Sequence, residues 1–319
     1  SGLQASGTVT LKPEGGGLDR AVFSPLKIAG KLNSRVEVIG RGANRQPQVV
    51  IKGGTIDIRK FGVTTGGSSA GGPPLEFALD RLVVTDTIAL DQFLGSFRND
   101  KGMDGTFKAK LNGKAAITGT VIPTNKGPAV RILSDNGGRV ISATGILENV
   151  NGGNMSLTLQ PNGKPGQFDG ALSITNARVK KAPALADLLS AISVIGLLEQ
   201  LTGDGILFSN TDARFLLTPG GVTLRSSSAV GPSMGITMDG VFNTTTRRMD
   251  MRGVVSPIYA VNGLFGALFA PRKGEGLFGF NYTLRGSADG PKVGVNPLSV
   301  LTPGIFREIF RQPAPKLKN

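Results

Sequence analysis

The sequence contains no cysteine, no histidine and no tryptophan, and these absences exclude several classes of protein at once. Without cysteine the chain has neither a disulfide framework nor a thiolate site. Without histidine it lacks the commonest general base and the commonest metal ligand. The 16 Phe and 2 Tyr are few for 319 residues. A thick globular core is therefore not expected, whereas a sheet with a narrow apolar lining needs fewer large side chains.

Positive charge and glycine are abundant instead. The 36 Lys and Arg exceed the 22 Asp and Glu by 14, which favours anionic partners such as nucleic acid, phospholipid headgroups or acidic glycans. The basic residues are scattered along strand-like segments, so we expect a diffuse basic surface rather than a tight reader of bases. The 47 Gly are spread between alternating segments and predict many turns and bulges.

Three short motif matches lack the context that their chemistry requires. Residues 67–71 read GxSxG, but the nucleophile elbow needs a following helix and a histidine. Residues 274–279 read GxGxxG, but the third glycine lies in an alternating strand. Ser24 and Lys27 have β-lactamase spacing without a Lys-Thr-Gly strand. A hidden pair of catalytic carboxylates stays open without a motif behind it. We predict no enzyme, no cofactor and no metal.

Most of the chain alternates with period two, which indicates strands with one apolar and one wet face. Strand-like segments fill residues 5–63 and 75–97, and they become dense from 104 to 179, where AVRILSDNGG and VISATGILENV are read as strands. Asn-Gly at 112, 136, 151 and 162 and Asp-Gly at 104, 169, 239 and 289 are hairpin signals. The sequence therefore predicts a mainly β fold, a long antiparallel meander, divided into segments 1–103 and 104–319.

A period-two series after residue 205 supplies the candidate lining of an apolar site. Its members in order are Ile206, Phe208, Phe215, Leu217, Val222, Leu224, Ile236, Met238, Met249 and Met251, and the later strand adds Phe278 and Phe280. The residues between them are mostly Thr, Arg, Asp or Ser. We expect all of these side chains on one face of a sheet.

One apolar helix is predicted over 183–201, with Pro183 at its first position and Gly203 after its end. Its first half has Leu188 on one side and its second half has Leu201 on the opposite side. A helix that is apolar on both sides must be covered on both, by protein or by lipid. A second, short helix begins near Thr302, and its apolar side carries Ile305, Phe306, Ile309 and Phe310, a candidate membrane or partner contact. The 183–201 segment and the apolar residues 254–270 do not have the pattern of a transmembrane helix.

The stretches FDGALSITNARVKKAPALADLLSAISVIGLLEQLTGDGILFSNTDARFLLTPGGVTL, SAVGPSMGITMDGVFNTTTRRMDMRGVVSPIYAVNGL and GEGLFGFNYTLRGSADGPKVGVNPLSVLTPGIFREIF lie between Gly170 and Arg311 or next to them. Together they resemble the C-terminal region of AsmA-like envelope proteins of Gram-negative bacteria, related to the TamB and YhdP group. The order is strand, apolar helix, strands, Gly-Val-Val-Ser-Pro, closing strand and short helix. The resemblance covers a little under half of the chain.

This resemblance implies a repeating β-groove, a long twisted sheet that is apolar inside and polar outside. Residues 104–319 would form the groove module, and residues 1–103 would continue the groove or cap it; the sequence leaves these two alternatives open. It implies a periplasmic bridge that binds phospholipid acyl chains and supports lipid transport between inner and outer membranes, with the inner-membrane anchor absent from this chain. It implies no catalytic residues. Two other functions stay open: a non-catalytic module for outer-membrane protein biogenesis, and a β-protein that binds acidic glycans.

Overall fold

The computed structural model describes residues 2–13, 17–42, 44–61, 71–257 and 279–296. The chain is mainly β, as predicted, and the 18 strands of the described residues belong to one mixed sheet. The described residues also form three α-helices and a short 3-10 helix, Ile58–Phe61. Contacts divide the chain into a first unit, residues 1–134 with 159–166, and a second unit, residues 135–158 with 167–319. The predicted division between 103 and 104 stays a prediction.

The first unit is built from strands that pair with their neighbours in sequence. The strands are β1 (Leu3–Leu11), β2 (Leu18–Ile28), β3 (Leu32–Ile39), β4 (Gln48–Asp57), β5 (Gly72–Val83), β6 (Ala89–Asn99), β7 (Asp104–Leu111), β8 (Ala115–Thr124) and β9 (Gly127–Ser134).

The prediction of an entirely antiparallel meander is wrong at one place, because β4 and β5 are parallel. Every other register within this unit is antiparallel. Parallel neighbours need a connection of about a dozen residues or more. Residues 58–71 between these two strands provide that length, and they include the short 3-10 helix. The sequence favours an antiparallel meander because it shows no regular helix between strands, and the parallel pair forms here without one.

The second unit begins with α1 (Gly137–Ala143), where the sequence predicted a strand. The hairpin turn predicted at Asn136-Gly137 is wrong: the Asn136 side-chain oxygen accepts from the backbone N–H groups of Arg139 at 3.0 Å and Gly152 at 2.9 Å. An asparagine that accepts the N–H of the third helical residue is an N-cap. The same dipeptide that makes a hairpin elsewhere therefore starts a helix here, because its side chain is engaged by backbone donors.

The strands from β12 to β18 form an antiparallel series, and the short strands β10 and β11 precede it in the chain. The elements in order are β10 (Val150–Asn151), β11 (Asn154–Pro161), which ends in the first unit, β12 (Phe168–Val179), α2 (Pro183–Ala191), α3 (Ile195–Thr202), β13 (Ile206–Thr218), β14 (Gly221–Val230), β15 (Met234–Asn243), β16 (Arg248–Pro257), β17 (Phe280–Ser287) and β18 (Lys292–Asn296).

The single apolar helix predicted over 183–201 is wrong, because two helices, α2 and α3, occupy that range. The backbone changes direction at Ser193, whose φ of +57° is left-handed. The two halves of the segment have their apolar sides on opposite faces, so a straight helix buries only one of them. The break lets Leu188 of α2 and Leu201 of α3 both be buried, and it leaves Ile195 exposed.

The turn dipeptides divide into two groups. Asn112-Gly113 joins β7 and β8 with both residues at positive φ, as a tight hairpin requires. The Asp-Gly pairs at 104, 169 and 239 instead lie inside strands, so the hairpin prediction is wrong there. A side chain on those glycines would collide with a neighbour: a Cβ on Gly170 would lie 2.3 Å from the ring of Phe215. Such glycines provide space for a large side chain on the adjacent strand.

Candidate apolar binding face

Cross-strand registers of the second unit assemble one apolar surface from β12 to β18. Residues paired across antiparallel strands point to the same side of a sheet. The pairing produces four successive rows: Phe168, Leu217, Val222, Phe242 and Met249; then Phe215, Leu224, Met251, Leu284 and Val293; then Leu172, Ala213, Met238, Tyr282 and Val295; and then Ile174, Ala229, Ile236, Val255 and Phe280. We call this surface the apolar face.

Most of the predicted lining residues are brought together here. Those on the apolar face are Phe215, Leu217, Val222, Leu224, Ile236, Met238, Met249, Met251 and Phe280. Ile206 and Phe208 are not among them. They have the opposite parity to Phe215 within the continuous strand β13, so they lie on the other side of the sheet, where both are buried. Phe278, Ile305, Phe306, Ile309 and Phe310 lie outside the described residues.

The apolar face is covered unevenly. Its first row, which contains Leu217 and Met249, is half-buried throughout. Further along, Met251, Tyr282 and Val255 are 7%, 2% and 0% exposed. In the same three rows Phe215, Met238 and Ile236 are half-buried, so buried and half-buried positions are mixed there. The first row differs because all of its apolar residues are half-buried, and it is the part of the face where an apolar ligand can replace water.

One buried residue of the apolar face, Tyr282, is held in place by its hydroxyl. The Tyr282 hydroxyl donates to the backbone oxygen of Thr237 at 2.8 Å. Burial raises the pKa of this phenol above its ordinary range, so it stays protonated and keeps donating. A satisfied buried tyrosine in this position holds β15 and β17 on either side of β16. Nothing in its sequence context distinguished it from other strand residues.

The opposite side of the same strands carries ion pairs. Arg252 Nε lies 2.8 Å from an Asp239 carboxylate oxygen, and Arg285 Nε lies 3.0 Å from Asp250. Both pairs join adjacent strands. An apolar side and a charged side on one set of strands confirm the predicted alternation, whereas the strand pairing that aligns the rows came only from the structure.

The first unit has an apolar side as well, which the sequence analysis left open. Its clearest part is a cluster of four phenylalanines on β5, β6 and β7. Phe93 has ring centroids 6.0 Å from Phe77 and 5.5 Å from Phe107, and Phe77 lies 5.8 Å from Phe97. One row of this side runs through Phe23, Val36, Ile51, Phe77 and Phe107 to Ile132. Phe23, Ile51, Phe77 and Phe107 are half-buried.

The polar side of the first unit contains one buried carboxylate among three cations. Glu37 is 2% exposed and accepts hydrogen bonds from Arg20 and Arg35, and Lys52 Nζ lies 3.5 Å away. The hydrogen bond from Arg20 is the main cause that holds the pKa of Glu37 below its ordinary value, and the charges of Lys52 and Arg35 add to it. The three cations come from β2, β3 and β4, so the cluster joins three strands.

Two further observations on the described residues concern metal binding and membrane crossing. In that part of the chain no three Asp or Glu side chains converge as metal ligands. Within the same residues no helix combines the length and the hydropathy that crossing a bilayer demands.

These features define a mainly β protein whose strands carry apolar rows on one side, and ion pairs together with some buried apolar residues on the other. Comparison with protein-family models finds no match, and neither the curated proteins nor the solved structures contain one.

Proposed function

We propose that this protein binds the acyl chains of phospholipids on the apolar face and supports lipid transport between the inner and outer membranes, as a non-catalytic periplasmic bridge. The observation that carries the proposal is the half-buried first row of the apolar face, with Leu217, Val222 and Met249. A sheet that served only as a packed scaffold would bury such side chains. Monomeric proteins seldom leave large contiguous apolar patches accessible without a binding role.

The energetics favour hydrocarbon as the ligand. Each methylene group that leaves water contributes about 0.8 kcal/mol, so two acyl chains need only partial burial to bind well. The rows offer Leu, Val, Met and Phe side chains and few polar atoms. A ligand on this surface is therefore held by area rather than by a specific polar pocket, and the headgroup can stay in water.

The location and the bridging role rest on the resemblance to AsmA-like envelope proteins between Gly170 and Arg311. That family supplies the periplasmic setting and phospholipid as cargo. The positive net charge of +14 fits contact with anionic membrane surfaces.

Two adjacent leucines allow a matched test. Leu217 lies on the apolar face and Leu216 on the opposite side of β13, and both are half-buried. The wild-type chain and the variants Leu217→Lys and Leu216→Lys would be purified, and bound lipid would be extracted and quantified by mass spectrometry. We expect phospholipid on the wild type, a several-fold loss for Leu217→Lys, and little loss for Leu216→Lys.

Circular dichroism would establish that both variants keep the strand content of the wild type. Equal lipid loading of the two variants would contradict the assignment of the site. A wild-type chain that carries no lipid and does not protect a fluorescent acyl probe would overturn the function. Recovery of an outer-membrane protein with such a lipid-free chain would then favour a biogenesis module.

A further inference from the structure

The first strand, β1, is exposed along its whole length. All nine residues from Leu3 to Leu11 are exposed, and Leu3, Val9 and Leu11 reach 65%, 59% and 67%. The structure gives β1 an antiparallel register with β2 and with no other described strand. The described residues therefore leave the large apolar side chains of β1 uncovered.

The composition of β1 makes that edge unusual. Its sequence, LQASGTVTL, has neither a charged residue nor a proline. Proteins usually protect a free strand edge with Lys, Pro or an inward-pointing charge, because an unprotected edge pairs with other strands. In a chain of net charge +14, a nine-residue edge without charge is the place where two copies can approach with least repulsion.

Backbone hydrogen bonds show which groups point outward. The Gly2 oxygen accepts from the Ala29 N–H at 2.8 Å, and the Lys12 N–H donates to Gly17 at 2.9 Å. Both bonds lie on the β2 side and both involve even-numbered residues of the first segment. Because successive backbone groups alternate in direction, the odd-numbered residues of β1 direct their N–H and C=O groups away from β2. These are Leu3, Ala5, Gly7, Val9 and Leu11.

We propose that β1 pairs with β1 of a second copy of this chain, antiparallel and with the two-fold axis at Gly7. In this register Leu3 lies opposite Leu11, and Ala5 lies opposite Val9. Each such pair exchanges two backbone hydrogen bonds from groups that already point outward. On the other side of the strands Ser6 lies opposite Thr8, and Gln4 lies opposite Thr10. Apolar residues therefore meet apolar residues, and polar residues meet polar ones.

The pairing also continues an existing surface. Gly7 is paired with Phe23, and a Cβ on Gly7 would lie 2.9 Å from that ring. Val9 is paired with Ala21, and the same cross-strand row passes on through Val38. The apolar side chains of β1 therefore lie on the same side of the sheet as the apolar residues of the first unit. Pairing across the two-fold axis joins the apolar sides of two copies, a property beyond the lipid binding proposed above.

Register-specific crosslinking tests the proposal. The chain has no cysteine, so Ser6→Cys and Thr8→Cys introduce a single thiol each. Opposed residues of this type are about 4.5 Å apart at Cα, within the range that a disulfide bridges, whereas diagonal neighbours are about 7–8 Å apart. We expect a mixture of the two variants to form a disulfide-linked dimer under mild oxidation, and each variant alone to crosslink at least several-fold less.

Sedimentation of the cysteine-free chain provides the second arm. We expect a concentration-dependent dimer, weakened at least tenfold by Val9→Lys, which places a charge on the apolar side of the pair. Thr8→Lys carries the same charge on the polar side and should leave the dimer nearly unchanged. A monomer at all concentrations, or equal crosslinking by the single variants and the mixture, would overturn the proposal. If the wild type carries no bound lipid but still dimerises, the lipid-binding function is contradicted and the dimer proposal is supported.

Discussion

The Glu37 carboxylate holds together an ion-pair cluster with three cations, so a single substitution there should change stability. Glu37 is nearly fully buried, whereas Arg20, Arg35 and Lys52 are each about half exposed at their side chains. Glu37→Gln should therefore lower the free energy of unfolding at neutral pH by about 1–3 kcal/mol, since a charge-assisted network is replaced by weaker bonds. Denaturant unfolding monitored by circular dichroism would measure the change.

The same substitution has a predicted pH dependence. Because the folded pKa of Glu37 lies below its ordinary value of 4.5, the carboxylate stabilises the fold above that value. Its contribution is lost as the pH falls from 4.5 through the lowered folded pKa. The difference between wild type and Glu37→Gln should shrink over that range. Glu76→Gln is the control, because Glu76 is exposed and accepts one bond from Gln48 at 2.7 Å. A constant difference at all pH values, or an equal loss in the control, would argue against this account.

Sequence reasoning at this scale succeeded where a residue's role is local. Asn112-Gly113 makes a hairpin because its turn geometry depends on those two residues. It failed where the role depends on another strand. Gly170 lies inside β12 because Phe215 needs its space, and Glu37 is buried because three strands bring cations to it. No pattern within one segment contains that information.

The broken helix between Pro183 and Thr202 carries the prediction at the scale of elements. Leu201 in α3 is 0% exposed, and Ile195 at the start of the same helix is 68% exposed. Leu201→Ala should cost about 2–5 kcal/mol of stability, because it opens a cavity in a packed site. Ile195→Ala removes more than one methylene group, but from an exposed position. The loss of stability should therefore stay within about 0.5 kcal/mol.

Chemical denaturation of both variants would check this pair. Similar losses of stability in the two variants would mean that α3 is not anchored through Leu201. A larger loss for Ile195→Ala would mean that Ile195 is covered rather than exposed. The sequence identified the apolar residues of this segment and the conflict between its two halves. It did not predict the break between α2 and α3, because the left-handed backbone of Ser193 is locally unfavourable and depends on tertiary packing.

At the scale of the whole molecule, the alternating pattern correctly predicted strands with two different sides. The register between strands determines which residues of different strands form one row. Phe215, Leu224 and Met251 are separated along the chain, and they form one row only because β13, β14, β15 and β16 pair in sequence. Ile206 and Phe208 have the same alternating pattern and lie on the other side. A period-two pattern establishes that a face exists, and it fixes neither which residues of a long strand share it nor how far it is covered.

The excess positive charge yields the last prediction, on membrane surfaces. Lys108 and Lys110 lie exposed on β7, on the side opposite Phe107. We expect the chain to cosediment with vesicles that contain an anionic phospholipid and to bind zwitterionic vesicles far less. Binding should fall as salt rises from about 0.1 M to about 1 M, because the screening length shrinks from about 10 Å to about 3 Å.

The double variant Lys108→Gln with Lys110→Gln tests which side of the sheet meets the bilayer. It lowers the net charge from +14 by two charges. Each lysine near an anionic surface contributes about 1 kcal/mol, so the pair should weaken binding by up to about thirtyfold at low salt. Thr118→Gln changes the same side without changing charge and should bind like the wild type. Salt-independent binding would assign the contact to apolar insertion, and unchanged binding of the double variant would move the basic contact surface away from β7.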